Sequence, residues 1–243
     1  MEWRDQGILI GVRKHGESSA IIDVLTQTHG RHSGIVRGGA GRKLAPLLQQ
    51  GANLDLSWRA RLESHLGTFT IELNKSRTAD VMSDRLMLAG LNAVCTMAQA
   101  MLAERTPCSE FYKRTYQVLD ILALREIWPL AYMQWELDLL NEIGFGLDLE
   151  SCAVNGGTEE LIYISPKSGK AVSKSGAGPW ADRLLPLPAS LRRQGAGDDS
   201  DVIAGLQVLS YFWDNKVAAN FDQTQIPSAR ARFIDLFEKQ MER

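Results

Sequence analysis

The sequence predicts an α+β protein: a five-stranded barrel at the N-terminus, then an all-helical domain with a small irregular insert. Three observations predict it. Residues 1–78 hold short, β-branched runs that alternate apolar and polar side chains and are separated by glycines. After Asn74 the apolar spacing lengthens to the helical period. Between 151 and 198 turn residues dominate (NGG, SPKSGK, SKSGAGPW, PLP, GAGDD). The predicted domains are therefore 1–78 and 79–243, the second including the insert 151–198.

ILIGVRKH (8–15) and SAIIDVLTQ (19–27) read as the first two strands, bounded by Gly7, Gly16 and Gly30. SGIVRG (33–38) is the third. ANLDLSWRARL (52–62) places Leu54, Leu56 and Trp58 on one face, and GTFTIELN (67–74) does the same with Phe69, Ile71 and Leu73. Five short strands joined by tight turns predict a small closed or partly closed barrel. Leu86, Leu88, Leu91, Val94, Met97 and Met101 then mark a helix over 83–104, with Ser83 as its N-cap. Thr106-Pro107 predicts a second start, through FYKRTYQVLDILAL. Pro129 opens a third helix, with Leu130, Met133, Leu137 and Leu140 on its stripe and Gly144 at its end. One strand (161–165) is expected in the insert, and helices over 201–220 and from Ser228 follow.

The composition, 44% hydrophobic and 23% charged, is that of a folded globular chain. Apolar runs such as GILIGV are too short to span a bilayer, and no signal-peptide core follows MEWRDQ, so a cytoplasmic protein with no membrane partner is expected. Cys95, Cys108 and Cys152 form no CxxC, which argues against a disulfide framework.

Charge is unevenly placed. The chain carries −2 overall, yet residues 1–80 hold 11 bases and 8 acids, and the remainder 16 bases and 21 acids. A basic N-terminal module on an acidic body points to a polyanionic partner. The densest stretch is RHSGIVRGGAGRK (31–43), where glycines space the cations and no acid interrupts them. Arg31, Arg37, Arg42 and Lys43 form the core of the candidate site, with Arg13, Lys14, Arg59 and Arg61 on neighbouring strands. Such cations neutralise phosphates and release counterions, giving affinity without sequence preference. Glycines let a backbone lie close to a phosphate strand. The phase of Trp58 and Phe69 assigns them to the core rather than to base stacking.

Enzyme motifs are absent. SPKSGKAV lacks both the leading glycine and the trailing Ser or Thr of a phosphate loop. No Cys/His set has metal spacing, and nothing marks a nucleophile. His15, His29, His32 and His65 read as solvated or turn-bonded. Neither catalysis nor a cofactor is expected. Two other readings stay open: a protein-interaction adaptor whose barrel binds no DNA, and a metal-independent hydrolase using an Asp/His pair in 15–65.

HGESSAIIDVLTQTHGRHSGIVRGGAGRK with LLQQGANLDLSWRARLESHLGTFTIE resembles the N-terminal half of the bacterial RecO DNA repair and recombination proteins. ELDLLNEIGFGLDLESCAV, LIYISPKSGKAVS and DRLLPLP resemble the middle of that family, so the likeness covers most of the chain. It implies an OB-fold at the N-terminus, a helical domain and a zinc-finger-derived insert. It also implies binding of single- and double-stranded DNA, strand annealing, and loading of RecA onto strands coated by single-strand binding protein, together with RecR, at the nucleoid. The helical domain is then expected to receive the acidic, apolar C-terminal tail of single-strand binding protein; Lys113 and Arg114 beside aromatics in FYKRTY are candidates, and ARARF (229–233) is another. Many members hold zinc with two CxxC pairs. Here Cys152 keeps the first position, Asn155 stands at the second, and AVSKSGAGPW has no cysteine. One thiolate cannot make a four-ligand site, so no zinc is expected. Packing of Leu161, Tyr163, Val172 and Trp180 should hold the insert instead.

Overall fold

The computed structural model describes residues 1–194, 197–220 and 226–241. The chain forms two compact units, Met1–Arg125 with Pro227–Phe233, and Glu126–Ile226 with Ile234–Arg243.

In the first unit, β1 (Glu2–His15), β2 (Ser19–Thr26), β3 (Gly30–Val36), β4 (Asn53–Arg59) and β5 (Thr68–Lys75) close a barrel in the order β1-β2-β3-β5-β4. Antiparallel pairs make up the barrel except for β3–β5, which is parallel over Ile35↔Thr68 and Val36↔Phe69. This is the five-stranded OB-type arrangement. The first half of β1 pairs with β4 and the second half with β2, with a bulge between Leu9 and Gly11. A strand shared in this way closes the sheet and leaves no edge. The expected start at Ile8 is therefore too late. Residues 2–6 alternate partial and full exposure, and their backbone pairing with β4 holds them in the sheet. The third strand lies three residues earlier than expected, because Arg37–Ala40 form a turn. The fourth ends at Arg59, which leaves Arg61 in the β4–β5 loop.

The barrel is filled by Leu9, Ile22, Val24, Leu54, Leu56, Trp58, Phe69 and Ile71. Trp58 and Phe69 are core, as their phase requires. Leu73 is exposed, since it falls where β5 leaves the barrel. The outer face of β1 and β2 is also apolar, and Ile8, Ile10, Ile21 and Leu25 are buried there. Helix α2 (Arg85–Met101) covers this face: the Gln99 amide donates to Asp23 at 2.8 Å, and Cys95 Sγ approaches the Leu9 carbonyl at 3.9 Å. A short α1 (Thr78–Val81) precedes it. The cap of α2 is Asp84, not Ser83; its carboxylate accepts from the amides of Leu86 and Met87 at 3.0 and 3.2 Å. Leu88, placed on the buried stripe by spacing, is exposed.

Helix α3 (Ser109–Asp120) begins two residues after Pro107 and stops short of Leu124. It carries Asp120, which takes Arg77 Nε and Lys75 Nζ at 2.9 Å each. Arg77 is 3% exposed, also donates to the Gly51 carbonyl at 2.7 Å, and lies 4.6 Å from the Tyr116 ring centre. Burial works to raise the Asp120 pKa, but hydrogen bonds from Lys75 and Arg77 outweigh it and hold the carboxyl below its usual range.

In the second unit, α4 (Trp128–Glu142) carries Pro129 in its first turn, and Gly144 follows it at φ +86°. Its buried face is Trp128, Tyr132, Met133, Trp135, Glu136, Leu139 and Leu140, wider than the expected stripe; Leu130 and Leu137 are only partly buried. Glu136 is buried because it accepts from the Trp213 indole at 2.5 Å. Trp213 begins a π-helical turn (Trp213–Val217) between α6 (Asp199–Phe212) and α7 (Ala218–Asn220), so the segment expected as one helix over 201–220 changes pitch. α8 (Ser228–Met241) closes the chain.

The insert is a three-stranded sheet of β7 (Ala171–Ser173), β6 (Leu161–Ile164) and β8 (Leu185–Pro186), with the short α5 (Lys174–Ala177) after β7. Leu161 and Val172 are buried and Tyr163 partly so, as expected, but Trp180 is exposed. Cys152 Sγ accepts from the Ser173 amide (3.2 Å), the Ser173 hydroxyl (3.3 Å) and the Val154 amide (3.4 Å). The Asn155 amide donates to the hydroxyls of Ser173 and Ser175. Burial works to raise the Cys152 pKa, yet these donors, with the Asn155 backbone amide, bring it down to about 7. A Cβ on Gly176 would sit 2.8 Å from Cys152 Sγ. The surroundings of this sulfur are thus one thiol, hydroxyls, amides and a glycine, a set that does not fit zinc.

Candidate nucleic-acid interface

The strand register shows which cations meet. One row of paired residues runs Lys14↔Ala20↔Val36↔Phe69↔Trp58↔Trp3 across all five strands. The next runs Arg13↔Ile21↔Ile35↔Thr68↔Arg59↔Glu2. These rows wind round the barrel, from the end of β1 (Arg13, Lys14) back to its start (Glu2, Trp3). Loops 16–18 and 37–52 leave from the rim where β1 and β3 end, and loop 60–67 leaves from the other end, where β4 meets the start of β1. Arg13 and Lys14 end β1, Arg37, Arg42 and Lys43 sit in the second loop, Arg59 ends β4, and Arg61 lies in the third. Five of the eight expected cations therefore share one rim and its loops; Arg59 and Arg61 lie at the other end of β1.

Local turns shape the loop after β3. Gly38 takes φ +73°, a conformation that disfavours any side chain. A Cβ on Gly39 would meet Ala20 at 2.9 Å, and the next amide, Ala40, donates to the Ser18 carbonyl at 3.0 Å. The loop is thus tied to the β1–β2 turn, which brings Arg37 and Arg42 towards Arg13 and Lys14. These glycines tighten the loop, a role the spacing alone did not reveal. Arg13, Lys14, Arg37, Arg42, Lys43 and Arg61 are exposed and make no ion pair among the described residues. Arg59 pairs with Glu2 at 2.8 Å, an exposed and solvent-screened contact. Glu17 is the acid of the rim with Arg13 and Lys14, against five bases.

Arg31 stands apart. It pairs with Leu25 at the opposite end of β3, and its side chain is half-buried. Its Nε donates to the Leu102 carbonyl at 2.9 Å, and Nη1 lies 3.7 Å from Asp23. The structure gives it an architectural contact and does not bring it to the rim.

His32 departs from the solvated or turn-bonded reading, while His29 is bonded in the β2–β3 turn. His32 is 3% exposed, edge-on to Trp58 (4.9 Å), Trp3 (5.2 Å) and Phe69 (5.9 Å). Burial depresses its pKa, and the nearby Arg105 adds to the effect. His29 stacks on Trp3 at 4.0 Å and bonds Asp5 at 2.9 Å.

Sequence reasoning missed Arg105. It donates to the carbonyls of Glu63 and His65, and its own amide bonds the Arg31 carbonyl at 2.7 Å. It thereby pins the β4–β5 loop that carries Arg61, at the cost of φ +61°. No local pattern marks it, because its partners are backbone atoms some forty residues away.

Lys113 pairs with Glu110 at 2.7 Å on the wet face of α3, while Phe111 and Tyr112 turn inward; Arg114 is exposed on the same face. A different surface holds a cleft of about 480 Å3 between the 49–50 loop, α1, α2 and the start of α8. Leu88, Ala89, Leu91 and Ala229 floor it, and Arg85 and Arg232 stand at it without an ion pair among the described residues. Arg232 belongs to ARARF; Arg230 of the same stretch is buried.

No helix among the described residues is long and apolar enough to cross a membrane. Residues 1–77 match the family model for the recombination protein O N-terminus, and residues 82–224 match that for its C-terminus. The chain is 52% identical over 241 residues to the DNA repair protein RecO of Ruegeria sp. (strain TM1040), covering 99% of this chain and all of the relative. It is equally similar, with 99% of this chain and all of the relative covered, to that of Roseobacter denitrificans. With a protein of the same name from Cereibacter sphaeroides it shares 52% over 239 residues, 98% of this chain and 99% of the relative. The chain belongs to the recombination protein O (RecO) family.

Proposed function

We propose that this protein is a non-enzymatic mediator of DNA repair and recombination that holds the backbones of single- and double-stranded DNA on the barrel rim. The observation that carries the reading is the register, which gathers Arg13, Lys14, Arg37, Arg42 and Lys43 at one end of the barrel. Phosphates replace the water and counterions around these free cations. Annealing follows from the same surface. Cations that hold one strand reduce its repulsion for the complement, and base pairing supplies the rest. No covalent bond is made or broken.

The rim rather than the outer sheet face is the contact surface in this reading. OB-type barrels commonly use strands 2–3 together with the adjoining loops; here α2 covers the outer face of β1 and β2. In partnership with RecR, the protein would load RecA onto strands coated by single-strand binding protein. The acidic, apolar tail of that protein suits the cleft at Arg85 and Arg232, where no carboxylate among the described residues lines the wall. Lys113, already paired with Glu110, suits it less. The same cleft is what favours the second reading, an adaptor whose barrel binds no DNA.

Fluorescence anisotropy of a labelled single strand tests the choice, with wild type beside Arg37→Glu/Arg42→Glu/Lys43→Glu. Salt-sensitive binding lost in the variant supports the rim. Absence of binding by wild type favours the adaptor.

A further inference from the structure

The insert holds a second feature suited to nucleic acid. Residues 151–198 carry six bases and four acids, whereas the other residues from 81 onward carry ten bases and 17 acids. The insert is thus a basic island on an acidic body. At its surface Gly178 takes φ +49°, ψ −133°, a conformation reserved for glycine, and Pro179 follows. This corner presents Trp180 at the surface.

Trp180 is 58% exposed even with the Arg183 guanidinium 4.9 Å from its ring centre. Arg183 makes no ion pair among the described residues, although Asp182 is its chain neighbour; Lys174, one short helix earlier, is likewise exposed and unpaired. An exposed large aromatic costs free energy in water and needs a reason. An indole with one open face beside unpaired cations is what a single strand uses: a base stacks, and the phosphates on either side meet the charges.

We propose that Trp180, Arg183 and Lys174 form a second single-strand contact, in which Trp180 stacks an unpaired base. It rests on the DNA-binding reading above and extends it: two contacts on one chain would hold two strands, or two stretches of one. Duplex DNA, whose bases are already stacked, gains nothing at this site.

The test uses the full chain as wild type, Trp180→Ala and the rim triple variant. Each is titrated with an oligo-dT strand and with an abasic strand of equal length. Wild type should prefer dT, and Trp180→Ala should lose about fivefold or more of its dT affinity with abasic binding unchanged. Tryptophan fluorescence gives a second readout. Trp58, Trp128, Trp135 and Trp213 are buried and Trp3 half-buried, so quenching by dT should come chiefly from Trp180 and vanish in its alanine variant. Equal dT binding by wild type and Trp180→Ala, with binding lost in the rim variant, overturns this inference and leaves the rim standing. Binding that survives the rim variant but not Trp180→Ala does the reverse. No strand binding by wild type sinks both, as does quenching by an acidic peptide with none by dT.

Discussion

Removing Arg37, Arg42 and Lys43 together tests how the rim binds. Five rim cations are free of ion pairs among the described residues: Arg13, Lys14, Arg37, Arg42 and Lys43. If each meets one phosphate, the slope of log K against log salt is about −0.7 times five, or roughly −3.5 for a single strand. Between about 50 and 200 mM salt, affinity should then fall on the order of 100-fold. Arg37→Ala/Arg42→Ala/Lys43→Ala leaves two contacts, a slope of roughly −1.4 and a fall of about sevenfold. These side chains are exposed and fill no core, so unfolding midpoints should be unchanged within about 1 kcal/mol. The assay is anisotropy of labelled dT at four or more salt concentrations, with circular dichroism melts alongside. A variant that binds more weakly but with an unchanged slope would refute the reasoning, because the three residues would not be contacting phosphates.

Other parts of the structure predict further outcomes. Arg77→Ala leaves the Asp120 carboxylate and the Gly51 carbonyl without their buried partner, and should cost about 3 kcal/mol or more in urea unfolding; a loss below about 1 kcal/mol would mean that water replaces the guanidinium. Because the folded Cys152 pKa is depressed from 9.0 to about 7, its contribution to stability is full above pH 9 and disappears as pH falls through 7. Melting temperature should rise across that window in wild type and stay flat over it in Cys152→Ser. Asn155→Cys/Ser173→Cys/Gly176→Cys places four thiols in paired CxxC spacing and should bind one zinc per chain, while wild type binds none. Metal analysis after gel filtration decides both.

Much of the first unit was legible in the sequence, because a half-buried strand writes its phase into the chain. Leu54, Leu56, Trp58, Phe69 and Ile71 are core as alternation requires. What escaped was set by partners distant in sequence. Glu2–Gln6 look polar and unstructured until β4 pairs with them. His32 looks like a loop residue until Trp3, Trp58 and Phe69 surround it. Glu136 reads as a surface acid until Trp213 reaches it from a helix 77 residues away. The candidate site divided in the same way. Arg31 and Arg37 are six residues apart on one basic stretch, but β3 carries them to opposite ends of the barrel. Charge density identified the stretch; only the register could separate the cation that holds Leu102 and Asp23 from those left free at the rim.

The central claim is that the rim contacts phosphate. The most direct measurement is single-strand affinity at one moderate salt concentration for wild type, Arg31→Gln and Arg37→Glu/Arg42→Glu/Lys43→Glu, each checked for folding. The account predicts that the triple variant loses binding by two orders of magnitude or more, ~0.7 logarithmic units of salt dependence per lost contact. It predicts that Arg31→Gln loses stability and keeps affinity. Binding abolished by Arg31→Gln in a folded protein, and retained by the triple variant, would contradict it.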